Sequence, residues 1–409
     1  MNIISAMRNW IAPKAAITTS KELADVLGAN GSTSFTGITV TPDVAMMVAA
    51  VGAAVSLLSE TVAQIPLPLY QRRKDGGKDR ATDNPLWMLL HDKPNSWQNS
   101  FEFREMLTLH LLLWGNAYAF KNRTRTGRTR GMVTELIPIH PDRVKVEQDE
   151  NHVVTYRVAL GKGEIVAVPA DGMFHIRDRS LDGVKGISRL KYGQDAIGLA
   201  RVTERWGAQL FGNGARPSGV LSTDGMLNDE QVKRLGESWK AAHGGENALG
   251  TAVLDGGLKW TPLAMTSHDS QYLENRKFQI AEISRIYRIP PHMLGDLDKA
   301  TFSNIEHQSL EFVKFSLMPW LKRWEGAINT QLLDPTGVFF AEFVVEGLLR
   351  GDIKSRYEAY QIGVMNKWLS PNEIREKENM NPRDGGDVYE NPAITPGEGV
   401  TSNVDPQTA

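Results

Sequence analysis

The sequence predicts an α+β, mainly helical fold in which a hairpin of two long helices carries a small α/β unit and a β-rich segment lies upstream. Three observations carry that reading. Amphipathic stretches at 188–213 and 267–289 bracket a compact insert at 214–266; residues 117–178 break into short strands separated by turn residues; and one apolar stripe continues across Pro319.

Residues 1–40 read as a flexible arm with one short helix, since Thr19 and Glu22 have capping-box spacing ahead of Leu23, Val26 and Leu27. Asp43 is placed to cap an apolar helix. The proline-rich stretch 66–70 reads as an edge strand, where missing backbone donors can face solvent. Pro85 opens a short helix, and Phe103, Leu107, Leu111 and Trp114 form the stripe of another at 101–115. Strands are expected at 117–121, 133–139, 143–147, 153–160, 165–168 and 173–176, arranged as a meander or small sandwich.

On the first hairpin helix Tyr192, Ala196, Leu199, Val202, Trp206 and Leu210 recur at steps of three and four and share a face. Gly212, Asn213, Gly214 and Pro217 terminate it. The second repeats the plan with Leu273, Ile280, Ile283 and Tyr287 and stops at Pro290 and Pro291, which lack backbone donors. Each helix would span roughly 30 Å at 1.5 Å per residue. The insert offers strands at 219–222, 251–255 and 258–263 around a helix at 228–243, whose apolar face holds Val232, Leu235 and Trp239.

After the loop at 290–303, Leu310, Val313, Leu317, Leu321, Trp324, Ile328 and Leu332 keep helical register across Pro319, so a continuous helix kinked at that proline is expected. A strand at 339–345 and a helix from 352 with Ile353, Tyr357, Tyr360, Val364 and Trp368 follow. Ser370, Pro371 and Glu373 then make the N-cap, first-turn proline and capping box of a last helix. The proline- and glycine-rich end, from 386 onward, reads as a disordered tail.

Composition narrows the function. The chain has 409 residues, 41% of them hydrophobic, enough for two or three cores. It has no cysteine, which excludes disulfides, thiolate catalysis and cysteine-ligated metals, and suits a reducing cytoplasm. The longest uncharged apolar run, 44–59, has sixteen residues; a spanning helix needs about 20, so it reads as a buried helix and no membrane partner is expected. No secretory signal is recognisable at the amino terminus. Against 46 basic residues stand 48 acidic ones, a balance unsuited to clamping nucleic acid through many phosphates and compatible with a wall along which DNA slides.

Catalytic patterns fail one by one. Gly77 and Lys78 lack the upstream glycine of a Walker loop, and Gly161 and Gly163 are followed by Val166 where a third glycine belongs. No pair of histidines has ligand spacing, and no Gly-x-Ser-x-Gly elbow occurs. Pro141 and Asp142 could start a nuclease motif, yet the acidic-x-Lys triplet that should follow is found only at Asp352 and Lys354, so a turn is the simpler reading. Asp296 and Asp298 are carboxylates of an exposed loop rather than a cation cage. Trp206, Trp239, Trp320 and Trp324 lie on helix stripes and are expected to pack in cores. Neither catalytic nor metal-binding residues, and no cofactor, are assigned.

Short strings in fixed order carry a resemblance: Gly115 to Tyr118, LIPIHPDRV at 136–144, His175 and Ile176, Gly186 to Ser188, FGNGARPSGVL at 211–221, and Tyr272 to Glu274. IPPHMLG at 289–295, TFSNIEH at 301–307, LMPWL at 317–321, and Asp352, Arg356, Gly363 and Asn372 to Arg375 continue it. In these the chain resembles the HK97-type portal proteins of tailed bacteriophages, over roughly residues 43–385. It departs from that pattern at Arg189, where the family often has Pro, and at Tyr287 and Arg288, in place of a common Phe and Gly.

The resemblance implies a portal fold: a wing at 41–187, stem helices at 188–213 and 267–289, a clip at 214–266, a tunnel loop at 290–303, a kinked helix and return strand to the wing at 304–349, and a crown at 350–385. It implies a ring of about twelve copies at one capsid vertex, closed by head-to-tail packing. Through such a ring double-stranded DNA is packaged and ejected without sequence readout. Terminase large subunit, major capsid protein and head–tail connector proteins are the implied partners, and the virion, after assembly in the bacterial cytoplasm, is the implied location. Stem packing is assigned to Tyr192, Leu199, Val202, Trp206, Leu210, Leu273, Ile280 and Ile283, and DNA proximity to Asp296, Asp298, Lys299, Thr301 and Ser303. The clip is represented by Arg216, Pro217, Ser218 and Trp239, and the kink by Pro319. The alternatives are a metal-dependent DNA-processing enzyme of a mobile element and a monomeric adaptor.

Overall fold

The computed structural model describes residues 32–124, 130–160, 164–212, 219–222, 228–243, 259–262, 267–297, 308–345, 353–378 and 380–390. A small hairpin, β1 (Ser32–Thr33) and β2 (Thr39–Val40), comes first. It belongs to the segment expected to be a flexible arm, but it is fastened to the stem: the Phe35 amide donates to Asp195 at 2.8 Å, and Ser34 fills the space that a side chain on Gly198 would need.

The apolar run forms two helices, α1 (Pro42–Met46) and α2 (Ala49–Gln64). Thr41, not Asp43, caps the first: its hydroxyl accepts from the Val44 amide at 3.2 Å, while Pro42 takes the position where a missing N–H costs nothing. Val51, Val55, Leu58 and Val62 of α2 are buried against Phe103, Leu107 and Leu111 of α3 (Ser100–Trp114), which Asn99 and Glu102 start with a complete capping box.

Between these helices, β3 (Leu69–Arg72) is the centre of an antiparallel sheet, flanked by β4 (Lys78–Arg80) and the return strand β13 (Phe339–Ala341). The expected edge position is therefore corrected. Pro66 and Pro68 precede the strand and need only accept, which they do from the amides of Val344 and Glu342 at 3.0 and 3.4 Å.

Two three-stranded antiparallel sheets follow, β10-β5-β6 and β7-β8-β9, built from β5 (Asn116–Arg123), β6 (Val133–Ile139), β7 (Val144–Gln148), β8 (Val154–Ala159), β9 (Ile165–Pro169) and β10 (Met173–Arg177). Tyr118, Phe120, Ile137, Tyr156, Val158 and Val168 fill a core shared by both sheets, which makes a small sandwich. Asp142, in the 3₁₀ turn Pro141–Arg143 between β6 and β7, accepts from the Trp114 indole at 2.6 Å, so the nuclease-like pair is a turn.

The hairpin helices are α4 (Arg189–Gly212) and α6 (Ser267–Tyr287). Of the insert, β11 (Gly219–Ser222) pairs antiparallel with β12 (Lys259–Pro262), and α5 (Asp229–His243) lies between them in sequence. The strand expected at 251–255 and the loop residues Arg216, Pro217 and Ser218 lie outside the described residues, as do the side chains of Leu210, Trp239 and Leu273.

The long helix runs from 308 through a π-helical turn, Phe312–Leu317, into α7 (Met318–Gln331). The turn answers Pro319, whose missing N–H and bulky ring oppose an α-helical bond to the residue four back. A wider bond from the Met318 amide to Val313 makes room. Trp320 and Trp324 are buried as expected, and the Trp324 indole donates to Thr108 of α3 at 3.2 Å. At the end, α8 (Ile353–Met365) and α9 (Pro371–Lys377) follow, the latter with the Ser370–Glu373 capping box complete. Residues 380–390, expected to pass into a disordered tail at 386, fold back on α9: Asn372 exchanges hydrogen bonds with Arg383 and donates to Asp387 at 3.0 Å, and the Tyr389 hydroxyl donates to Glu373 at 2.8 Å.

Candidate functional site

Residues remote in sequence converge where the sandwich meets the hairpin. Gly115 (φ +75°) ends α3, and a Cβ there would lie 2.5 Å from the Ile187 carbonyl; one on Gly186 would lie 2.0 Å from the Gly115 oxygen. Only two glycines let these segments cross so closely. Asn116 locks the crossing, donating to the Gly186 carbonyl at 2.8 Å and accepting from its amide at 2.7 Å. The same Asn116 oxygen stands 3.0 Å from His175 Nε2, and His175 Nδ1 is 3.1 Å from the Tyr156 hydroxyl. Burial, and secondarily Arg177, pushes His175 down to about 3, so the neutral ring donates at one nitrogen and accepts at the other. Gln331 brackets the same strand with two 2.8 Å bonds to the His175 backbone.

One step further along the chain, Asp178 is fully buried. Arg189 Nε donates to it at 2.8 Å and Arg323 approaches its other oxygen at 3.1 Å. Arg189 also donates to the Ile286 carbonyl at 2.9 Å and lies over the Trp320 ring at 4.4 Å. The start of α4, the end of α6 and the long helix are thus tied through one carboxylate. Sequence reading singled out neither Asp178 nor Arg323, since a charged residue just past a strand end and another within a helix carry no local signal of pairing.

Along the hairpin, Gly193 admits Ile286, since a Cβ there would be 2.5 Å from its terminal carbon, and Gln279 donates to Thr203 at 3.0 Å. Ile197, Ala200 and Ile283 are buried within the chain, and Val202 and Ile280 are partly buried. Tyr192, Leu199 and Trp206, spaced by seven, are instead 61%, 49% and 43% exposed, a continuous apolar stripe along α4 in the single chain. Trp206, expected to pack in a core, is instead part of this half-exposed stripe. Phe278 on α6 is also exposed. A groove of about 790 Å³ adjoins the upper end of the stripe, between the sandwich and α4, with Trp114, Lys145, Leu181, Lys185 and Tyr192 in its walls.

The loop after α6 begins with a 3₁₀ turn, Pro291–Leu294, whose Met293 and Leu294 pack against the main core before Gly295 (φ +90°) reverses the chain. Asp296 is partly buried, and its amide donates to the Pro291 carbonyl at 3.1 Å. Asp298, Lys299, Thr301 and Ser303 lie outside the described residues. Among the described residues no three His, Asp or Glu side chains are grouped to hold a metal ion, and no helix is long and apolar enough to cross a membrane.

A helical hairpin that bears an inserted unit and roots in a β-sandwich through a glycine crossing has the form of an extended structural scaffold. Comparison with known proteins agrees. The phage portal protein family model matches residues 49–379, and the chain belongs to that family. It is 35% identical over 367 residues to the probable portal protein of Streptomyces phage phiC31, covering 87% of this chain and 79% of that one. To the portal protein of Enterobacteria phage HK97 it is 32% identical over 349 residues, covering 84% and 81%. Its fold is similar to that of a chain in the neck of a native gene transfer agent particle computed with C12 symmetry (TM-score 0.59, 23% identity, 89% and 99% covered).

Proposed function

We propose that this chain forms a closed ring of about twelve copies whose bore conducts double-stranded DNA into and out of a capsid. The observation that carries the reading is the apolar stripe of Tyr192, Leu199 and Trp206, which stands exposed along α4 among the described residues. Water exposure of such a stripe is unfavourable, and head-to-tail packing on an identical neighbour removes it. By their places in the sequence Leu210 and Leu273 are assigned to the same packing, and Ile280 and Ile283 to the contact between the two helices. Near-neutral net charge suits a wall that must not bind DNA tightly.

In this reading the loop at 290–303 brings Asp296, Asp298, Lys299, Thr301 and Ser303 nearest the DNA, touching phosphates loosely and without base readout. The clip, with Arg216, Pro217, Ser218 and Trp239, receives the terminase large subunit and later the connector proteins, while the wing faces the major capsid protein. The chain itself is not an enzyme; terminase supplies the energy. The ring is assembled in the bacterial cytoplasm and retained in the virion at one vertex. Native mass spectrometry and negative-stain images of the purified chain test the ring. Shortening 296–300 is expected to leave rings intact and to impair DNA retention; loss of assembly would make that loop structural.

A further inference from the structure

The base of the stem holds more positive charge than its own carboxylate answers. Four guanidiniums, Arg179, Arg189, Arg288 and Arg323, line one small cavity of about 50 Å³ between the start of α4, the end of α6 and the long helix. Among the described residues Asp178 is the only carboxylate paired with any of them, and it takes Arg189 and Arg323. Arg179 and Arg288 are exposed and line the same space, with no acidic partner among the described residues. Tyr287, also in the lining, is fully buried, yet among the described residues its hydroxyl has no hydrogen-bond partner. A buried donor without an acceptor is costly, and like charges gathered about one small pocket repel one another.

Two further features point the same way. Arg288 holds φ +60°, a backbone conformation that a non-glycine residue adopts at a cost. Arg323 is drawn below the ordinary arginine range, first by burial and, against the pull of Asp178, by the facing Arg189, Arg179 and Arg288.

We propose that this cavity binds a phosphate-class oxyanion, held by Arg179, Arg288 and Arg323 and by a hydrogen bond from the Tyr287 hydroxyl. Guanidinium forks match the paired oxygens of a phosphate, and the bound anion would answer both the surplus charge and the orphaned hydroxyl. The site lies immediately before the loop that begins at Pro290, so occupancy steadies the root of that loop. The inference needs only the single chain and stands whether or not the chain forms a ring.

The test is phosphorus NMR and thermal melting of the full-length protein with inorganic phosphate, against chloride at equal ionic strength. Saturable broadening of the phosphate line and a rise in melting temperature are expected. Arg288→Gly should raise the melting temperature in chloride, by relieving backbone strain and repulsion, and abolish the response to phosphate. Tyr287→Phe, which removes one hydrogen bond to an anion, should weaken phosphate binding about tenfold. A short DNA duplex that displaces the phosphate assigns the site to backbone phosphodiesters, and one that does not assigns it to free phosphate. Equal behaviour in phosphate and chloride, or a phosphate response that survives Arg288→Gly, overturns the proposal.

Discussion

Single residues at the wing–stem junction fix how the hairpin leaves the body. Gly186 is the sharpest case: any side chain would strike the Gly115 carbonyl, and backbone cannot yield as a flexible side chain does. Gly186→Ala is expected to destabilise the chain by about 1–3 kcal/mol, read by chemical denaturation. The buried histidines set a pH dependence. Burial lowers His175 to about 3, and burial with the neighbouring His140 lowers His110 to about 4, against an ordinary value of 6.5. Below 6.5 the unfolded chain takes up protons that the folded chain refuses. Stability is therefore complete above pH 6.5 and falls toward pH 4, by up to about 1.4 kcal/mol per pH unit for each histidine. Denaturation midpoints at pH 7 and 5 in the parent and in His110→Gln measure it; the variant should lose part of the slope.

At the scale of elements, most of the secondary structure is legible because it rests on local rules. Period-3.6 stripes mark α3, α4, α6 and α7, and capping chemistry marks α9. What escapes local reading is set by tertiary contact. β3 becomes central because β13 arrives from far along the chain, and the hairpin of β1 and β2 is ordered by Gly198 and Asp195 of the stem. The second face of α4 is a similar case. A helix that buries Ile197 and Ala200 on one side and carries Tyr192, Leu199 and Trp206 on another has two apolar stripes, and periodicity alone does not say which belongs to its own chain. The Asp178 junction is invisible for the same reason, since its two arginines lie 11 and 145 residues away. If the exposed stripe is an interface, Leu199→Asp should change the stability of the isolated chain by less than about 0.5 kcal/mol. The same variant should eliminate ring formation by size-exclusion chromatography with light scattering.

At the scale of the whole molecule, the sandwich, the two-layer helical core and the hairpin are parts of one scaffold, joined at the glycine crossing and the buried carboxylate. Family membership rests on most of the chain, and the proposed assembly would cover the apolar stripe that stands exposed on α4. Exposed apolar residues continue into the last helical region, at Ile362 and Trp368, so a neighbour on that side would cover a second patch. The most direct measurement is the mass of the purified full-length protein by native mass spectrometry across a range of salt. The account predicts a closed oligomer of about twelve 45.4 kDa subunits, with an open centre in negative-stain images. Monomers and dimers alone, at every salt concentration, would contradict it.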